Sequence, residues 1–180
     1  FAGESHDGSN AYLGATDSYL TYPIDGLFGT DAFSATFWYK VNSTPDRAGI
    51  LVVGDDADDR NQGFRLFREG SETEQRIKVN VGIGDSESWN DGGVIDVTAG
   101  EWVHIAVTVS ATESKIYFNG VEQLVSTFAT SIDWTGCNDL TIGAGGDTFS
   151  YWNHLSDVSA IDELRLFNKA LSESEIQDML

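Results

Sequence analysis

Apolar and polar residues alternate one by one in several stretches of this chain, and turn formers recur at short intervals between them. That pattern constrains the fold more than any other feature. In "IKVNVGI", Ile77, Val79, Val81 and Ile83 fall on one side of an extended backbone, with Lys78 and Asn80 on the other. In "WVHIAVTV", Val103, Ile105, Val107 and Val109 form one face, and Trp102, His104, Ala106 and Thr108 the second. The same reading predicts strands over 11–15, 19–22, 33–41, 50–54, 64–69, 77–83, 94–98, 101–109, 115–119, 122–127, 140–143 and 161–167. A dozen short strands without a long helix between them predict an all-β, two-sheet antiparallel sandwich. Ser172 and Glu175 have capping-box spacing ahead of "EIQDM", so a short C-terminal helix is expected there.

The 180 residues, 41% hydrophobic, suffice for one core, and no linker or repeat divides them, so a single domain over 1–180 is expected. Nineteen glycines against two prolines suit a fold rich in tight turns. Nothing approaches the run of roughly 18 apolar residues that a membrane helix needs. Twenty-nine acidic residues against ten basic leave a net charge of −19, which repels phosphate backbones and anionic bilayers. Nucleic acid and membrane insertion are therefore excluded as expectations. The acidity serves solubility or gathers carboxylates around a divalent cation. Cys137 is the lone cysteine, so no internal disulfide forms, and it reads as a small loop or core residue. A start at Phe1 without a leader-like segment reads as a processed protein or a module of a longer chain.

Several stretches in order resemble the laminin-G-like, concanavalin-type jelly-roll family. "DGSNAYL" is similar to its opening strand, "FSATFWYKV" to its Trp-x-Lys strand and "GEWVHIAVTV" to its Gly-x-Trp-x-His strand. "KIYFNGVEQ" resembles its Tyr-x-Asn-Gly hairpin, and "LTIGAG" with "AIDELRLFNKALSESEI" its closing strands and helix. The resemblance implies a jelly-roll sandwich across nearly the whole chain. It leaves function open among lectins, carbohydrate-binding modules, adhesion modules, spacers and glycanases.

Asp162 poses a question. Simple alternation over 161–167 puts Ile161, Glu163, Arg165 and Phe167 on one face, and Asp162 on the other with Leu164 and Leu166. A carboxylate beside two core leucines needs a partner. The resemblance implies a structural calcium where first and last strands meet, with Asp162 and Asp7 as candidate ligands; the alternative is that Asp162 accepts backbone amides at a strand edge. In "GDDADDRNQG" the acidic residues lack the glycine and glutamate spacing of an EF-hand, so a solvated hairpin is expected.

Glycanases of this fold resemble one another in a Glu-x-Asp-x-(x)-Glu strand whose carboxyls lie about 5–5.5 Å apart. In "SAIDELRL" the first Glu position holds Ala160 and the later one Leu164 or Arg165, so the pair is missing. No Gly-x-Ser-x-Gly elbow or zinc-type histidine spacing occurs, and His104 reads as a packed structural residue. No catalysis is expected.

Binding is the remaining reading. Trp38 and Trp102 fall on strands, whereas Trp89, Trp134 and Trp152 fall in predicted connections over 84–93, 129–139 and 144–160. Aromatic planes stack on the C–H faces of sugars, while Asn, Arg and His read hydroxyls. The candidate carbohydrate-binding residues are Arg60, Trp89, Asn90, Trp134, Tyr151, Trp152, Asn153 and His154. A second possible surface is an outward strand face bearing Trp38, Arg65, Asn80 and His104. The expected function is a non-catalytic carbohydrate-binding module with a glycan partner. It would be secreted or displayed at a cell surface, as a monomeric module of a multidomain chain. The rival is an adhesion or spacer module without sugar affinity.

Overall fold

The protein is described by a computed structural model covering residues 5–8, 10–55, 59–149 and 155–180. In chain order the strands among these residues are β1 (Tyr12–Leu13), β2 (Leu20–Pro23), β3 (Phe33–Lys40), β4 (Arg47–Val53), β5 (Phe64–Gly70), β6 (Glu74–Gly82) and β7 (Glu87–Asn90). They continue as β8 (Val94–Asp96), β9 (Val103–Val109), β10 (Glu113–Phe118), β11 (Val121–Thr127), β12 (Asp139–Ile142) and β13 (Ala160–Phe167), before helix α1 (Glu173–Gln177). Sheet A has the order β1-β13-β3-β9-β10-β11, and sheet B the order β2-β12-β4-β5-β6-β7, with β8 also paired to β6. All pairings within the two sheets are antiparallel. The expected all-β sandwich with a short terminal helix is what the chain forms.

The alternation predicted for the core strands holds. Phe33, Phe37 and Tyr39 of β3 and Ile105, Val107 and Val109 of β9 pack against Leu51, Leu66, Val79 and Val81 of sheet B, all essentially inaccessible to solvent. Each such side chain contributes roughly 1.5–3 kcal/mol by leaving water. Ser172 caps α1 as predicted, its hydroxyl accepting from the Glu175 amide while the Glu175 carboxylate accepts from the Ser172 amide. Leu171 and Ile176 then cover Ala106 and Tyr117 on the outer face of sheet A.

Two features depart from the sequence expectation. Residues 87–90 form β7, not a loop, because the register Val79–Asn90 and Asn80–Trp89 adds a strand with little apolar alternation of its own. At β13, Glu163 adopts φ +51° and the register with β3 breaks between Asp162 and Arg165. The bulge resets the phase of the strand. Asp162 pairs with Trp38 and Arg165 with Thr36 on the outer face, while Leu166 pairs with Ala35, and Leu164 and Leu166 pack on the core. Asp162 therefore never shares a face with the leucines.

Between β12 and β13, the described residues up to Phe149 and from Leu155 onward lie against the outer face of sheet B. Leu155 accepts from the Gly49 amide at 3.2 Å, and Phe149 is buried against Val52 and Phe67. Asp157, just ahead of β13, is 1% exposed and accepts from Arg68 Nε and Nη2 at 3.3 and 3.2 Å and from the Ser159 amide at 2.9 Å. The Tyr39 hydroxyl also donates to this carboxylate. Burial, reinforced by the Asp157 charge, pushes the Tyr39 phenol well above its ordinary range, so it stays a donor. Removing the carboxylate leaves a buried guanidinium uncompensated. Asp157→Ala is expected to lower unfolding free energy by about 3–5 kcal/mol in denaturant titration, whereas Asp178→Ala at the helix end should change it by less than about 0.5 kcal/mol.

Candidate functional site

The two outer faces have different fates. On sheet A, His6 stacks on Trp38 with ring centroids 3.5 Å apart and planes 9° from parallel, and meets Trp102 edge-on at 6.2 Å. Trp38 in turn meets His104 edge-on at 5.2 Å. His104 is 2% exposed, its backbone N–H donates to Asn119 Oδ1, and its Nδ1 makes no hydrogen bond among the described residues. Burial, then the Arg165 charge and His6, pull its pKa down to about 4. Trp38 and His104 thus lie on sheet A, while Arg65 and Asn80 are register partners on sheet B. The single outward surface expected from these four residues does not exist: they occupy opposite sides of the sandwich.

Asp162 anchors the N-terminal segment. Its Oδ2 accepts from the His6 and Asp7 amides at 2.9 and 3.3 Å, and its Oδ1 from the Glu163 amide at 2.9 Å. Asp7 Oδ1 accepts from the Gly8 amide at 2.7 Å. Calcium requires six to eight oxygens, whereas the dipoles converging on Asp162 present N–H hydrogens. Asp7 and Asp162 therefore do not fit a calcium site. Among the described residues no group of three or more His, Cys, Asp or Glu side chains is gathered to hold a metal.

On sheet B the register Val52–Arg65–Asn80–Trp89 runs across the outer face. Phe149 packs on Val52 in that row. Arg65 is fully buried and donates to Gln62 O at 2.9 Å, Asp59 O at 2.8 Å and Thr148 O at 3.5 Å, with Phe149 against its guanidinium. Burial lowers its pKa to about 10, so it remains charged at neutral pH. Arg65 is a clamp between the acidic loop and Thr148.

The β7 flank of this face stays accessible. The half-buried Trp89 indole meets Phe67 edge-on at 5.8 Å, and the Arg60 guanidinium lies 6.0 Å from the indole centroid. Arg60 grips Glu87 through both carboxylate oxygens, at 2.9 and 3.2 Å, and Asn80 Nδ2 donates to Glu87 at 2.7 Å. An aromatic plane, a planar cation and a carboxylate thus stand side by side, which suits hydrogen bonding and stacking to a polyhydroxyl ring.

Of the sequence candidates, Arg60 and Trp89 are brought together. Asn90 follows Trp89 but points between the sheets, fully buried, its Nδ2 donating to Ser114 O at 3.0 Å and Leu124 O at 3.1 Å. It closes the β7–β11 side of the sandwich. Trp134 stacks on Phe28 at 5.2 Å, packs against Phe33 and Phe64, and donates Nε1–H to Thr30 O at 3.1 Å. It extends the core at one end. Tyr151, Trp152, Asn153 and His154 lie outside the described residues. Glu87 was missed by the sequence reading, because only the Gly82–Glu87 pairing of β7 aims it at Arg60.

The concanavalin A-like lectin/glucanases superfamily model, of the laminin G type, matches residues 13–177, and the chain belongs to that family. No curated protein matches it in sequence. Among solved structures it is similar to domain 4 of AbnA, an extracellular arabinanase from Geobacillus stearothermophilus, in complex with arabinotriose. That likeness has a TM-score of 0.62 and 21% identity, over 96% of this chain and 82% of the other. It is also similar to the binding domain of botulinum neurotoxin serotype D, with TM-score 0.66 and 14% identity, over 95% of this chain and 42% of that one. The type C toxin described as entering cells through two ganglioside molecules gives TM-score 0.60 and 16% identity, over 93% and 41%. The chain spans less than half the length of the toxin structures. Among the described residues no helix is long and apolar enough to cross a membrane.

Two outcomes follow from this geometry. Asp162→Ala is expected to cost about 1–3 kcal/mol by stranding amides, by the same amount in calcium and in chelator, and chelator should leave the wild-type melting temperature unchanged. His104 is neutral in the folded protein down to about pH 4 but titrates near 6.5 when unfolded. Its contribution is whole above 6.5 and is lost as pH falls from 6.5 toward 4. Denaturant titrations across that window should show the loss, and His104→Phe should flatten it.

Proposed function

We propose that this member of the concanavalin A-like lectin/glucanases superfamily is a non-catalytic carbohydrate-binding module, working as one part of a larger extracellular chain. The observation that carries the proposal is the Trp89–Arg60–Glu87 group on the accessible flank of sheet B. A sugar ring laid against the indole would present hydroxyls to the guanidinium and the carboxylate, each a charge-assisted contact. The glycan is neutral or weakly charged, since a net charge of −19 disfavours a polyanion. The bound arabinotriose of the arabinanase domain and the gangliosides of the toxin are consistent with this class of ligand. The absence of a strand-borne carboxylate pair supports a binding role: the relevant stretch of β13 reads Ala160, Asp162, Leu164, Arg165.

A second reading, an interaction module without sugar affinity, is favoured by one observation. An apolar slot of about 300 Å³ opens between the sheets, lined by Tyr22, Leu27, Leu140, Ile142, Leu164 and Leu166. Tyr22 is 59% exposed there. Affinity electrophoresis in gels containing neutral polysaccharides, arabinan among them, separates the two. Retardation by at least one polysaccharide is expected, with Trp89→Ala or Arg60→Ala weakening it at least fivefold and Tyr22→Ser leaving it intact. No retardation in any gel would exclude the glycan reading.

A further inference from the structure

The end of sheet B nearest the β5–β6 turn carries a depression of about 470 Å³ that the sequence reading did not single out. Strand register sets what lines it. Arg47 of β4 pairs with Glu69 of β5, Glu69 with Arg76 of β6, and Arg76 with Val94 of β8. Residues directly opposite on neighbouring strands share a face, so these four form one row across the outer side of the sheet. Arg47 and Arg76 stand two strand spacings apart, about 10 Å, with Glu69 between them.

In a chain with 29 acidic and ten basic residues, a cation has many carboxylates to pair with. The pairing here is uneven. Lys78 meets Glu69 at 3.4 Å and Asp91 at 3.0 Å, so the carboxylate at the centre of the row already has its cation. Arg76 donates through Nη1, to the Asp91 and Gly92 carbonyls at 2.8 and 3.4 Å. Those bonds hold its guanidinium and leave Nε and Nη2 without a hydrogen bond among the described residues. The exposed Arg47 makes no hydrogen bond or ion pair among the described residues. Asp46 and Glu74 complete the charged lining, which is thus three cations and three carboxylates. The surface is balanced at this place, while the chain as a whole carries −19.

Two guanidiniums with N–H donors to spare border one depression, and the planar fork of arginine matches a carboxylate. Ser71, Asp46 and Glu74 add acceptors for hydroxyls around it. The local balance of charge admits a single anionic group, whereas the net charge of the whole repels a long run of them. We infer that this depression is a subsite for a sugar carboxylate, held between Arg47 and Arg76, which selects a largely neutral glycan carrying isolated uronate residues.

This inference rests on the glycan-binding reading and adds to it a subsite and a ligand class. Asp91, two residues past Trp89, links the two places: its carboxylate holds Lys78 and its carbonyl holds Arg76. Along β6, Arg76 lies four residues, or about 13 Å, from Asn80, the register partner of Trp89. One oligosaccharide can therefore reach from the indole to the guanidiniums.

The test is NMR of the arginine side-chain Nε–H resonances, with sodium glucuronate and sodium galacturonate as probes and glucose and galactose as neutral counterparts. At least one uronate at millimolar concentration is expected to shift the Arg47 and Arg76 signals, and added salt to weaken the response. The neutral sugars should leave both signals in place. Arg47→Ala and Arg76→Ala should each weaken uronate binding at least fivefold, while Trp89→Ala leaves it unchanged. Arg47 is exposed and unbonded, so its removal does not touch the fold. No shift at either arginine with both uronates, equal shifts with the neutral sugars, or undiminished binding by the Arg47→Ala, Arg76→Ala double variant would overturn the subsite. Retardation by neutral polysaccharides in the affinity gels would then leave the glycan reading standing, and its failure there as well would overturn both.

Discussion

The placement of the residues just ahead of β13 depends on one buried ion pair. Arg68 and Asp157 are both essentially inaccessible, and a charge pair in that position is tolerated only when its remaining hydrogen-bonding capacity is met. Tyr39, Ser159 and the Pro45 carbonyl meet it. Asp157 thereby fixes the entry to β13, and Arg65 holds Thr148. Both arginines stand on β5 and point to opposite sides of one sheet.

The distribution of cations follows from the same arrangement. The chain has ten basic residues against twenty-nine acidic ones. Arg65 and Arg68 are internal, and Arg60 is gripped by Glu87. Lys78 is held by Glu69 at 3.4 Å and Asp91 at 3.0 Å. Much of the positive charge is thus spent within the protein, which leaves an acidic exterior and disfavours polyanionic partners. On sheet A, α1 covers one part of the outer face and the His6–Trp38 stack another.

Much of the fold was legible because strand faces follow from local chemistry. Val103 to Val109 and Ile77 to Val81 alternate regularly enough to mark which face turns to the core, although His104, Ala106, Thr108 and Asn80 on the other face are buried as well. Asp162 resisted the same reading. A single residue in the left-handed region, Glu163, inverts the phase of everything after it, and a glutamate carries no local signal for that conformation. Trp89, Asn90 and Trp134 were all aromatic or polar residues in apparent loops, yet one is half-buried beside Arg60, one bridges two sheets and one extends the core. Their differing fates depend on long-range pairing, which composition does not report.

The sequence by itself determined the two-layer β architecture, the capped terminal helix, the absence of a strand-borne carboxylate pair and the strongly acidic surface, since each rests on residue type and short-range periodicity. Only the tertiary structure decided that Arg60 and Glu87 come together beside Trp89, that Arg65 and Asn80 are buried on the outer side of sheet B, and that Trp134 joins the core. Those outcomes depend on contacts between residues more than a hundred positions apart, such as Tyr39 with Asp157 and Gly49 with Leu155, and no local pattern encodes a distance of that kind.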